Sequence, residues 1–184
     1  ASTPWSGQSA NIKAVSVATN HTVHFPSQAQ MASMFSNYTN LESVNLTNLD
    51  TQNVTSMAGL FQGCTSLTSV TVSGLNTASV TNMANMFSSC KQLTSLDLKG
   101  WTTTKVVYMQ SMFNGDSLLK EINVNGWNTQ AVTNMTNMFK GCTVLNTLDV
   151  SGFKMGAVET ADSMFEGCKA LTQIDASKWA TTSK

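Results

Sequence analysis

The dipeptide Met-Phe, once Leu-Phe, recurs every 26 residues: Met34-Phe35, Leu60-Phe61, Met86-Phe87, Met112-Phe113, Met138-Phe139 and Met164-Phe165. Six occurrences without an insertion mean that one structural unit is repeated, and a unit of this size cannot bury its apolar side chains alone. Each unit must lean on the next, which restricts the chain to an elongated stack with a shared core. Other columns keep the register. Leu41, Leu67, Leu93, Leu119, Leu145 and Leu171 stand six residues after each Phe. Val44, Val70, Leu96, Ile122, Leu148 and Ile174 follow three later, then Leu46, Val72, Leu98, Val124, Val150 and Ala176 two beyond those. The alternation that ends this series is the period of a strand with one buried face.

The resulting L-x-x-L-x-L frame is that of a leucine-rich repeat. Gly74, Gly100, Gly126 and Gly152 mark a turn out of the strand. A bulky column (Leu49, Leu75, Trp101, Trp127, Phe153, Trp179) and a Val column (Val54, Val80, Val106, Val132, Val158) come next. Thr55, Thr81 and Thr133 then precede Met-x-x-Met-Phe like N-caps of short helices ending near Gly63-Cys64 or Gly141-Cys142. Met57, Leu60 and Phe61, at i, i+3 and i+4, would share one helix face. The expected fold class is an α/β repeat: a leucine-rich-repeat solenoid with one short strand plus one short helix per 26-residue coil and a parallel concave sheet. Residues 1–30 fall outside the register and read as an N-terminal cap; residues 31–179 hold about six coils; residues 180–184 read as a tail broken off inside a repeat, as if the chain were an excerpt.

Composition narrows the function classes. Charged residues are 11% of the chain, and ten Lys with no Arg balance ten acidic residues. A net charge of zero gives no footprint for nucleic acid, whose binding rests on Lys and Arg displacing counterions, nor for an acidic membrane surface. Ser, Thr and Asn fill the place of the missing charges, a composition common on secreted and cell-surface proteins. No apolar run approaches the length of a membrane span.

Little in the chain suggests catalysis. His21 and His24 are the only histidines and lie with no Cys or acidic residue near them in sequence. A nucleophile–His pair would need a third, orienting group, which nothing marks. Cys64, Cys90, Cys142 and Cys168 share one column, whose other members are Tyr38 and Asp116. Buried small hydrophobes closing each helix are the leading reading; disulfides Cys64–Cys90 and Cys142–Cys168, or a metal site, are the alternatives, and the short Cys spacings typical of zinc are absent. Ten of the eleven Met fall in the two helix-face columns, where a thioether core accounts for them without a metal. No cofactor and no metal are expected.

The candidate binding surface is the outward face of the strands. Its middle column is Asn45, Thr71, Asp97, Asn123, Asp149 and Asp175, flanked by Lys99 and Glu121. Amides and carboxylates in ranks would hydrogen-bond sugar hydroxyls or a basic peptide. For any single one of them, solvation and cross-strand pairing are the leading reading. No Arg or large aromatic anchor stands there, so weak or multivalent binding is expected.

The run Trp127-Asn128-Thr129-Gln130-Ala131-Val132-Thr133-Asn134-Met135-Thr136-Asn137-Met138-Phe139-Lys140-Gly141-Cys142, followed by Leu145-Asn146-Thr147-Leu148-Asp149-Val150, resembles the BspA-like leucine-rich repeats, a group that includes a mycoplasma domain of unknown function. The pattern W-x-T-x-x-V-T-N-M-x-x-M-F-x-x-C-x-x-L-x-x-L-D-L covers about residues 31–179. Departures are Val107-Tyr108 for Thr-Asn, Asp116 for Cys, and Met155, Glu159 and Ala161 for Thr, Thr and Met. The resemblance implies a non-enzymatic adhesion module, secreted or on a Gram-positive cell wall within a larger anchored protein, with host or bacterial surface proteins or glycans as partners. It carries no catalytic residue or cofactor site. A structural spacer holding another domain away from the cell wall is the alternative.

Overall fold

The computed structural model describes residues 9–17, 23–24, 29–177 and 179. Its 26-residue coils stack in parallel, and the repeat columns become continuous ladders running through the core. Leu67, Leu93, Leu119 and Leu145 are fully buried, as are Met57, Met83, Met109 and Met135. The Phe rings stack from coil to coil, Phe35 on Phe61, Phe61 on Phe87, Phe87 on Phe113 and Phe113 on Phe139, with centroids 5.3–5.9 Å apart. A second ladder, Trp101, Trp127 and Phe153, repeats at 6.4–6.5 Å with nearly parallel rings. Near-parallel rings in equivalent positions measure the local step between coils, so the coils stand farther apart at the Trp column than at the Phe column.

The strands are short and parallel. β1 (Ala14–Ser16), β4 (Ser43–Asn45) and β7 (Ser69–Thr71) form a three-stranded sheet in the order β1-β4-β7. β8 (Ser95–Asp97) pairs with β9 (Glu121–Asn123), and the ladder goes on as a single bridge, Glu121–Thr147. Two short pairs complete the described strands: β2 (Val23–His24) with β5 (Leu49–Asp50), and β3 (Ala29–Gln30) with β6 (Val54–Ser56). The expected N-terminal cap is therefore built as a coil in its own right. Its three strands each pair with the equivalent segment of the first full repeat, and Ile12, Val15 and Val17 pack against the core. His21 lies outside the described residues.

The expected helix is absent: the Met-x-x-Met-Phe segments are chains of turns, and no helix occurs among the described residues. In an α-helix the Phe87 N–H would bond back to the Met83 carbonyl. It donates instead to the Met112 carbonyl of the next coil (2.9 Å). Met83, Asn85 and Ser89 likewise donate to Tyr108, Gln110 and Asn114. The alternate N–H groups, of Met86, Ser88 and Cys90, close turns on Met83, Asn85 and Phe87, three residues back. Every second backbone donor is thus spent between coils, and every other one within a turn. The first and last of these turns place a left-handed residue at their third position, while the middle one, with Phe87 there, does not. Asn85 (φ 57°) and Ser89 (φ 65°) supply it here, and Gly59 with Gly63, or Asn137 with Gly141, do so elsewhere. The same bonds recur in every described coil interface from residue 31 onward, which makes the turn face the unbroken hydrogen-bonded wall of the stack.

Candidate functional site

Three buried side-chain ladders reinforce the stack. Thr51, Thr77, Thr103 and Thr129 are 0–2% exposed. The Thr103 hydroxyl donates to the Asn128 carbonyl (2.9 Å) and accepts the Asn128 N–H (2.8 Å), and Thr77 and Thr129 do the same to Thr102 and Lys154. The indole N–H groups of Trp101, Trp127 and Trp179 donate to Val72, Leu98 and Val150 in the preceding coil at 3.1–3.3 Å. The thiols of Cys64, Cys90, Cys142 and Cys168 donate to the Phe35, Phe61, Phe113 and Phe139 carbonyls at 3.0–3.3 Å. The W, the T and the C of the repeat pattern are therefore the donors that tie one coil to the next. Sequence reasoning missed this for the Thr column because it asked only which positions were apolar. Thr81, read as an N-cap, instead donates its hydroxyl to the Thr55 carbonyl one coil back (3.2 Å).

All four cysteines are free thiols. Burial pushes Cys64 up to about 12, against the opposing pull of the Tyr38 backbone, and raises Cys90, Cys142 and Cys168 as well. A thiol held protonated in the core is a poor nucleophile and a poor ligand. The Met sulfurs of the two ladders sit among apolar side chains of the core.

Asp116 takes the cysteine position of its repeat and is fully buried. One oxygen, Oδ1, accepts the Cys90 N–H (2.8 Å); Oδ2 meets no donor. Desolvation raises this carboxyl far above the ordinary carboxylate range, and the Cys90 N–H only partly offsets it. Burial favours its neutral form, and it stands in the column where thiols donate to Phe carbonyls.

The strand-face residues singled out in the sequence do come together on one wall. Asn45, Thr71, Asp97, Lys99, Glu121, Asp149 and Asp175 are exposed and Asn123 is half-buried. A shallow depression of about 430 Å³ lies over Ser95, Asp97, Glu121, Asn123 and Thr147, on three successive coils. Asp149 lines a smaller neighbour of about 150 Å³ instead, with Asn125 and Ser151. The middle column also has a structural task. Oδ1 of Asn45, Asp97, Asn123, Asp149 and Asp175 each accepts the N–H two residues on, at 2.9–3.1 Å, and so fixes the turn out of the strand. Glu121 makes no such turn bond. No group of three His, Cys, Asp or Glu able to hold a metal occurs among the described residues.

A family model described as "Mycoplasma protein of unknown function, DUF285" matches residues 29–123 and again 95–184, which together cover the whole repeat array. The chain belongs to the DUF285 family. The two overlapping matches meet in the third and fourth repeats, as expected when one repeat pattern runs through a DUF285 chain. A crystal structure of the T. pallidum leucine-rich repeat protein (TpLRR) is similar to this DUF285 chain at 18% identity, over 88% of this chain and 79% of that one, with a TM-score of 0.47. No curated protein matches it. The DUF285 signature agrees with the resemblance to BspA-like leucine-rich repeats, so this is a repeat protein whose stacked walls offer binding surface rather than a cavity.

Proposed function

We propose that this chain is a non-enzymatic adhesion module, exposed on or secreted from a cell, that holds a surface or matrix protein against its strand face. The observation that carries the reading is the depression over Ser95, Asp97, Glu121, Asn123 and Thr147. It brings two carboxylates and an amide from adjacent coils onto one patch. Asp97 and Asn123 each keep a second polar atom that the turn does not use. Ser95 and Thr147 add hydroxyls. That set favours a partner segment carrying Lys or Arg, in contact over several coils. The few anchors and shallow relief fit weak single contacts strengthened by repetition. The adhesive role of the BspA-like repeats and the low-charge composition support the extracellular setting.

The test is binding of the chain to a panel of immobilised matrix and surface proteins, with the double variant Asp97→Asn, Glu121→Gln beside the parent. Asp97→Asn keeps the Oδ1 that fixes the turn, so folding is spared while charge is removed. Loss of affinity of about tenfold or more supports the strand face. Undiminished binding refutes that assignment, and a chain that binds nothing on the panel favours the spacer reading.

A further inference from the structure

Tyr108 interrupts a column whose two flanking Asn residues serve the fold. At Asn82 and Asn134, one coil before and one after, Oδ1 accepts the N–H of Ala84 and of Thr136 at 2.9 Å. The three residues are bridged in sequence through their backbones, Asn82–Tyr108–Asn134, so Tyr108 stands between the two amides. Its side chain cannot make the turn bond. Three consequences are visible. Tyr108 is 45% exposed, the most of any aromatic residue among the described residues. The Gln110 N–H, which would be the turn donor, has no partner among the described residues. Gln110 Oε1 is shielded from solvent and also meets no donor.

We propose that Tyr108, flanked by Asn82 and Asn134 and backed by Gln110, is a binding site for a neutral saccharide, on a wall separate from the strand face. An exposed ring offers its electron-rich face to polarised C–H groups of a pyranose. The side amides of Asn82 and Asn134 each keep an Nδ2 that the turns do not use, placed to donate to ring hydroxyls on either side. Half-buried Gln110, two residues on, keeps a backbone N–H that no turn uses. Thr81 and Thr133 lie in the preceding column, and no charged side chain occupies these columns in the three coils, which disfavours phosphorylated or strongly charged ligands. The site rests on residues apart from those of the adhesion reading, so either can fail alone.

The chain has two tyrosines, and the other, Tyr38, is buried. Incorporating 3-fluorotyrosine therefore gives one reporter at the site and one internal control. Titration with maltotetraose, cellotetraose and N-acetylchitotetraose is expected to move the Tyr108 fluorine resonance saturably with at least one of them, at Kd of about 1 mM, while Tyr38 stays still. Tyr108→Asn restores the residue of the neighbouring coils, so it should fold. Saturation-transfer signals on the bound saccharide should fall with it by about tenfold or more in affinity, and persist in Tyr108→Phe. A Tyr108 resonance unmoved by all three saccharides overturns the proposal, as does full binding by Tyr108→Asn.

Discussion

Replacing Asp116 by Cys restores the column that Cys90 and Cys142 define, and it should change both the stability of the stack and its response to pH. In the folded chain the carboxyl is fully buried, with one N–H for its two oxygens, and desolvation raises its pKa well above the ordinary value. In the unfolded chain it ionises near the ordinary Asp value of about 3.9. Between that value and the raised folded-state one, folding takes up a proton. The sign follows directly: the folded-state pKa is raised, so the contribution is fully present below the unfolded value and is lost as pH rises toward the folded one. Stability should fall by about 1.4 kcal/mol per pH unit in that window. Protonating an ordinary Asp at about pH 7 costs about 4 kcal/mol, which bounds the proton-linked part of what Asp116→Cys can recover there. The assay is urea unfolding of parent and variant at about pH 5, 6 and 7, followed by the fluorescence of the buried Trp101 and Trp127. Subtracting the two profiles cancels the histidines and every other shared group. The variant should gain on the parent as pH rises. A difference that stays flat with pH would refute the argument, because it would mean Asp116 keeps its charge in the core.

Other perturbations separate the ladders. Thr103→Val keeps the shape but strips both bonds to Asn128, and is expected to lower stability by about 2–4 kcal/mol in denaturant unfolding, while Thr103→Ser retains most of it. Gly74→Ala would drive a methyl into the Thr47 carbonyl, whereas nothing lies near the equivalent atom at Gly152. Thermal unfolding should therefore show a loss of about 1–3 kcal/mol for the first and under about 0.5 kcal/mol for the second. Thiol titration with a disulfide reagent at neutral pH should modify half-buried Cys168 first and leave Cys64, Cys90 and Cys142 untouched until the chain unfolds. Early loss of all four thiols together would contradict their burial.

The sequence disclosed the stack, its period, the core columns and the wall on which the candidate residues gather. It did not disclose the conformation between Val54 and Leu67. Met57, Leu60 and Phe61 share a face at i, i+3 and i+4, and a chain of turns repeating every four residues presents the same spacing as a helix. The discriminating signal was present in Gly59 and Gly63, four apart, both with positive φ and both poor choices for a helix interior. The buried Thr column was hidden for a different reason. A polar residue bonded on both sides to the next coil's backbone behaves as core, which no hydrophobic pattern reports. The strand-face column was readable as outward and polar. Its turn bonds were not, since they depend on the chain bending back two residues later. Tyr108 and Asp116 stood out as breaks in the pattern, but what each break does became visible only from the partners that its neighbours possess.

The most direct test of the stacked-turn architecture is detection of through-hydrogen-bond couplings by NMR on the uniformly labelled chain. Phe87 and Phe113 N–H should couple to the carbonyls of Met112 and Met138, one coil onward. Couplings from Phe87 back to Met83 would place these residues in helices and contradict the account.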